Sequence, residues 1–390
     1  MPRLLHTADV HLGARHRDLA EAAVQQRERQ FAAFRRAVDV ALEERVELFI
    51  VAGDLFDSNA QPRRSVERAA AEFKRLGTQG IRSVVVPGTH DVYDAASIYR
   101  AHDLAALAAG RAGSPSLIVL TPEEPDIVYP ELELAVHARV FATKRAPHSP
   151  LADFSVAGDD RARWHVGVLH GALRVEGHVE QDEVMFTEEE IAASGLDYLA
   201  LGHWHSTRRG KAGSTIWAYS GAPEPVAVDQ DGAGQVLVVQ LEEVDGQRQV
   251  TVEARQIGQT RFQKLDLDAS EVPTQQALVD RLRGLADPNL VLDVRVTGIA
   301  PDSLELNDDE LDRELTGAFF RHRVRNVAVP PPLDGPLPPA DTIAGAFVRD
   351  LDERASAAEA AGDVARAAEL RDSLRLGRLL LADPDAVQLS

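Results

Sequence analysis

The 390-residue chain carries 62 acidic against 42 basic side chains, a formal net charge of −20, with 44% apolar residues and no cysteine. That apolar share supports a sizeable core rather than wholesale disorder, no window reaches the ~18 consecutive apolar residues of a membrane span, and the lack of cysteine excludes disulfides and thiolate zinc sites. The opening MPRLLHTADVHLG has no signal-peptide apolar stretch, so a cytoplasmic protein with no membrane partner is expected; its overall field repels nucleic acid, so phosphate binding must rest on metal ions, local basic patches or a partner.

In chain order, Arg3–His6 is a short apolar run that leads into Thr7-Ala8-Asp9, and Phe31, Phe34, Val38, Ala41 and Leu42 follow helical spacing. Leu48-Phe49-Ile50-Val51 has strand length and ends at Gly53-Asp54; a helix is expected from about Arg64 to Leu76, and Ser83–Val86 is the next strand, stopped by Pro87-Gly88. Fully apolar strands alternating with helices indicate a layered α/β domain, with sheets flanked by helices. Strands are expected at 117–120, 132–141, 166–169, 198–201, 216–219, 236–241 and 250–257, where helices become scarce and a more antiparallel sheet is expected.

The pattern restarts near Arg261 as a small α+β unit: strand 262–267, helix 274–285, strand 291–296, helix 308–319, strand 324–329. The organisation expected is a main domain over 1–260, a capping domain over 261–329, a proline-rich linker over 330–340 and a helical tail over 341–390. In the tail's second helix, Ala367, Leu370, Leu374 and Leu381 share one face, a stripe suited to docking on a partner.

Five polar clusters follow these strands: Asp9-Val10-His11, Gly53-Asp54, Gly88-Thr89-His90-Asp91, His170-Gly171 and Gly202-His203-Trp204-His205. Open α/β sheets gather ligands beyond the carboxyl ends of their strands, so residues distant in sequence can meet there. Carboxylates and imidazoles without thiolates suit Mn²⁺, Fe²⁺ or Zn²⁺ better than Ca²⁺ or Mg²⁺. Two-residue spacing at a strand end is expected to aim Asp9 with His11, and His203 with His205, the same way. Asp54 has two oxygens and can bridge two cations, and the glycines are expected to turn the backbone and leave room for a phosphate. Basic residues at Arg15, His16 and Arg17, and at Arg208, Arg209 and Lys211, could touch backbone phosphates or simply be solvated. A lone histidine is more often structural than a ligand, and His6, His16, His102, His137, His148, His165 and His178 are read so.

The ordered set D-x-H, G-D, G-x-H-D, H-G and G-H-x-H resembles the calcineurin-like metallophosphoesterases, and His6–Gly13 with Gly53–Asp57 is similar to the SbcD-type DNA repair nucleases. The resemblance implies that Asp9, His11, Asp54 and His205 hold one divalent metal, and that Asp54, His170 and His203 hold a second. His90 would act on the scissile phosphate, oriented by Asp91. It also implies DNA as substrate, a homodimer, and a coiled-coil SbcC-like ATPase gripped by the tail. Thr89 stands where that family places a metal-ligating Asn, offering a hydroxyl in place of an amide oxygen. The same residues are compatible with two other readings: a phosphodiesterase or phosphatase for small nucleotides, and a non-catalytic scaffold with a degraded second site.

Overall fold

The computed structural model describes the chain except for residues 110–115, 176, 178, 180–181, 228–229, 231, 302–303, 330–337 and 383–390. By internal packing it divides into Met1–Arg261 and Phe262–Ser390.

The first unit is a sandwich of two six-stranded sheets. One sheet has the order Gln247–Gln256, Gln235–Val244, Arg3–Thr7, Leu48–Ala52, Arg82–Val86, Leu117–Val119; the other runs Arg208–Ala212, Thr215–Tyr219, Tyr198–Gly202, Trp164–His170, Leu134–Arg139, Asp126–Tyr129. Alternation along each strand decides which layer a side chain enters. Leu4, Leu48, Ile50, Val84 and Val86 meet Leu134, Val136, Trp164, Val166 and Tyr198 between the sheets. Leu5, Phe49, Val51 and Val85 point the other way, under the helices Ala23–Glu43 and Arg63–Thr78, where Phe34, Phe49 and Phe73 pack edge to face. Strands buried on both faces have no polar side to show, which is why Leu48–Ala52 is apolar throughout.

The second sheet departs from expectation. Its inner four strands are mutually parallel, and only the edge strands Arg208–Ala212 and Asp126–Tyr129 run antiparallel. The connections that make this possible are irregular loops and one short helix, Glu188–Ser194, rather than long crossover helices. That helix is closed by a capping box between Thr187 and Glu190 and was not anticipated from the sequence.

The second unit has a three-stranded sheet, Arg261–Asp268, Asp287–Thr297 and Phe319–Asn326, packed through Leu292, Val294 and Val296 on the helices Gln275–Arg283 and Asp308–Leu315. The latter helix stops four residues before the expected Phe319, and the last strand starts there instead of at Val324. Gly317, in the left-handed region at φ +81°, makes that early turn. Most of the expected linker, residues 330–337, lies outside the described residues. Helices Ile343–Ala360 and Val364–Ala382 follow and pack on each other so closely that a Cβ at Gly377 would collide with Phe347. Ala367 and Leu370 are therefore buried, and only the far end of the expected stripe, at Leu381, is open.

Candidate metal centre

Parallel strands from both sheets end on the same edge of the sandwich, and the clusters lie just past those ends. Asp9 and His11 follow Arg3–Thr7, Asp54 follows Leu48–Ala52, Thr89 and His90 follow Arg82–Val86, His170 closes its strand, and His203 and His205 follow Tyr198–Gly202. Backbone bonds lock neighbouring loops together: Asp9 N–H donates to the Gly53 carbonyl (3.1 Å) and His11 N–H to that of Asp54 (3.0 Å). The two sheets are tied across the site by His203 N–H donating to the Asp9 carboxylate (3.0 Å) and His170 Nδ1–H donating to the Ala52 carbonyl (3.1 Å).

The expected two-residue alternation does not aim these side chains. Asp9, His11, Asp54 and His203 all lie in the left-handed region, at φ of 53°, 49°, 52° and 103°. Four such residues at one place is a concentration of backbone strain, which persists only where the surrounding structure over-determines it. The tight turns aim His11 and His205 at each other, Nε2 to Nε2 at 3.0 Å, and send His203 elsewhere, its ring 5.4 Å from that of His170 and its Nε2 on Asp182 at 2.9 Å.

The glycines also act differently from expectation. A Cβ on Gly53 would strike the His170 ring, one on Gly88 the Asp54 carboxylate, and one on Gly202 the Ala52 carbonyl. They let ligand-bearing segments touch each other.

Potential ligand atoms converge in three overlapping groups among the described residues, each within 4.8 Å: Asp9, His11 and His205; Asp9, Asp54 and His170; and His11, Asp57 and His90. Asp54 Oδ2 stands 3.2 Å from His170 Nε2 and 3.8 Å from His11 Nε2, between the two main groups. His203 belongs to none of the groups, being turned to Asp182. Thr89 is buried on the loop where His90 N–H donates to Asp54 Oδ1 (2.8 Å). The His90 ring is held by the Asp57 carbonyl (3.0 Å) rather than by Asp91. Asp91 is fully buried and accepts from Gly88 N–H (2.7 Å), Phe56 N–H (3.1 Å) and the Tyr99 hydroxyl (2.5 Å), so it braces the loop.

Three further residues join the site that spacing had not singled out: Asp57, 3.5 Å from His11 Nδ1; Asp182; and Gln230, whose amide donates to His205 Nδ1 (2.5 Å). Asp57 was within reach, since it closes the Gly53–Asp57 motif. Asp182 and Gln230 arrive from loops with no pattern of their own.

The electrostatics follow from burying anions. Asp9 and Asp54 are 0% and 2% exposed, an arrangement too costly to persist without a nearby positive charge. Burial alone would raise the Asp54 carboxyl, but the positive charge of His170, with His11 and His90 beyond, drives it far below the usual range. Burial likewise opposes protonation of His170, yet Asp54 and Asp9 push it up to about 10, and similar forces raise His11. Burial wins at His205, which drops to about 4. His170 thus carries the proton that neutralises the carboxylates. Its Nδ1 is committed to Ala52, and its buried Nε2 makes no hydrogen bond although Asp54 is near. An orphaned imidazole nitrogen facing a depressed carboxylate fits a divalent cation, which would replace the proton.

The calcineurin-like phosphoesterase family profile matches residues 2–207. The chain is 30% identical over 257 residues to the "DNA double-strand break repair protein Mre11" of Aeropyrum pernix, covering 62% of this chain and 58% of that one. It is 24% identical over 282 residues to the "Uncharacterized metallophosphoesterase YhaO" of Bacillus subtilis, covering 70% and 65%. A longer but more distant match, 23% over 356 residues, covers 90% of this chain and 86% of the Mre11 protein of Halobacterium salinarum. The chain therefore spans about 60% of the length of the first two relatives.

Proposed function

We propose, from the premise that this chain belongs to the calcineurin-like phosphoesterase family, that it is a Mn²⁺-dependent DNA exo/endonuclease of the SbcD type, working in the cytoplasm as a homodimer with an SbcC-like ATPase. The observation that carries the reading is the junction of Asp9, His11, Asp54, His170 and His205 at the strand ends of both sheets, with His170 Nε2 unsatisfied and facing Asp54. Relatives that bear the name of double-strand break repair proteins support DNA as the phosphodiester.

Asp9, His11, Asp54 and His205 would hold one cation, and Asp54 with His170 the other, which His203 would join only by leaving Asp182. Bound divalent cations supply Lewis acidity and make hydroxide accessible at neutral pH. Around them the protein's own groups do the rest. His90 Nδ1–H is spent on the Asp57 carbonyl, which leaves Nε2 to face a substrate phosphate or leaving group. Asp91 keeps the Gly88–His90 loop wrapped on Asp54, so the placement of His90 and of the Asp54 carboxylate is one structural event.

A labelled duplex and its single strand incubated with Mn²⁺, Mg²⁺ or EDTA test the reading. Cleavage with Mn²⁺ that stops with EDTA is expected. Turnover of a small phosphodiester with both DNAs intact would sink it. The ATPase partnership is tested by truncation after Pro339: cleavage of short oligonucleotides should change less than about twofold, while co-purification with an SbcC-like ATPase is lost.

A further inference from the structure

We propose that His137, His165 and Asp159 form a separate, structural site for a borderline divalent cation such as Zn²⁺, on the outer face of the second sheet, with Asp126 orienting His137. His137 lies in Leu134–Arg139 and His165 in the adjacent parallel strand Trp164–His170. The register pairs Ala135 with His165 and His137 with Gly167, so the two histidines share a face two positions apart. Leu134, Val136, Ala138, Trp164, Val166 and Val168 fill the inter-sheet core from the opposite face. Asp159 comes from the segment that joins the two strands, and its carboxylate and the two imidazoles offer ligand atoms within 4.8 Å of one another.

The histidines are each 4% exposed, with rings 5.4 Å apart and 20° from coplanar. His137 Nε2 and His165 Nδ1 stand 3.1 Å apart. Two imidazole nitrogens bound to one tetrahedral zinc at about 2.0–2.1 Å would be roughly 3.3 Å apart. The opposite nitrogen of His137, Nδ1, is 3.2 Å from Asp126 Oδ1. A carboxylate behind a histidine fixes the tautomer with Nδ1 protonated and leaves the Nε2 lone pair for a metal, the usual way such ligands are oriented. Burial holds His137 below its ordinary value despite Asp126, so the imidazole is neutral, as a ligand must be.

Without a metal, a positive charge already serves the carboxylates. Arg161 donates to both Asp159 oxygens (Nε 2.9 Å, Nη2 2.7 Å) and reaches Asp126 at 3.6 Å, but its side chain is 50% exposed. The guanidinium supplies the positive charge that Asp159 holds, and from its exposed position it can swing into water to release that carboxylate. The residues are independent of the strand-end centre: His165 is five positions before His170 on one strand, roughly 17 Å along it. A bound ion would pin the connecting segment to the sheet, where Phe154 already packs near the His137 ring and under the Arg139 guanidinium.

The test is zinc stoichiometry of the full-length protein, by elemental analysis after equilibration with Zn²⁺. His165→Gln should hold one ion fewer per chain than wild type while its Mn²⁺-dependent turnover is kept. Asp126→Asn, a change at a partly exposed position, keeps the fold testable. It should weaken zinc binding at this site by about 10–100-fold, and Arg161→Gln should tighten it. Equal zinc content and affinity in wild type, His165→Gln and Asp126→Asn would overturn the site and leave a hydrogen-bonded histidine pair. If His165→Gln does not fold, the Asp126→Asn and Arg161→Gln affinities decide alone: opposite shifts uphold the site, and no shift in either refutes it.

Discussion

The strand-end centre and the outer-face histidine pair use the same side chains and balance their charges in opposite ways. Among the described residues, no arginine or lysine lies within ion-pair distance of Asp9 or Asp54, whose partners are His11, His170 and His205. On the outer face Arg161 serves both Asp159 and Asp126. The backbones differ too. His137 and His165 sit inside regular strands, whereas Asp9, His11, Asp54 and His203 hold left-handed conformations, each costing on the order of 1 kcal/mol. A site that carries its own arginine is complete as folded and binds metal only by exchange. A site that buries two carboxylates against imidazoles and strained turns is complete only with a proton or a cation.

The sharpest way to break this contrast is Asp54→Ala, which removes the group standing between the two main ligand clusters. It should abolish turnover and metal binding at the strand ends and leave zinc on the outer face. Metal analysis that still finds two ions at the centre would end the bridging assignment. His90→Ala should separate chemistry from binding. Metal content should persist while turnover falls about 10²–10⁴-fold, the usual worth of a positioned acid or base; a parallel loss of metal would make His90 a ligand instead.

The contrast also appears in pH dependence. His170 is raised from an ordinary value near 6.5 to about 10. A raised group stabilises the fold fully below its unfolded value and loses that contribution as pH climbs through the folded one. EDTA-treated protein should therefore lose stability between about pH 6.5 and 10, with Tm dropping roughly 2–4 °C per kcal/mol lost. Mn²⁺ should flatten the loss by replacing the proton. His170→Gln should flatten it in the metal-free protein as well; an equally steep decline in that variant would place the linkage elsewhere.

How much of this was legible in the sequence depends on the kind of order involved. The layered α/β core was, because strands such as Leu48–Ala52 are buried on both faces and read as unbroken apolar runs. The clusters were legible because each ends such a run. The parallel inner strands of the second sheet were not, since their connections lack the long helices that normally announce them. Asp182 and Gln230 were invisible because a loop's approach to His203 or His205 leaves no periodic trace. In the sequence His137 and His165 each look like an ordinary structural histidine. Their pairing is a matter of register between two strands, which composition does not encode.

The smallest expected effect concerns Thr89, and it probes how far the centre depends on charge rather than on a full set of ligands. Thr89 is 5% exposed, between Gly88, whose N–H donates to Asp91, and His90, whose N–H donates to Asp54. Its neighbours fix the loop on the Asp54 carboxylate, so its side chain has little freedom to seek another role. A hydroxyl is a weaker donor to Mn²⁺ than the amide oxygen of Asn, yet it changes no charge. If the buried carboxylates dominate, Thr89→Asn should tighten the second cation by no more than about 10–100-fold, the scale of a single supporting interaction. Turnover at saturating Mn²⁺ should barely move, because His90, Asp54 and the loop they share stay in place. The measurement is a Mn²⁺ titration of cleavage beside one of binding. Both curves should shift together to lower concentration. Two unmoved curves in a folded variant would assign Thr89 to shaping the His90 loop alone, and a large gain in turnover at saturation would show that the native centre is limited by its ligands and not by its charge.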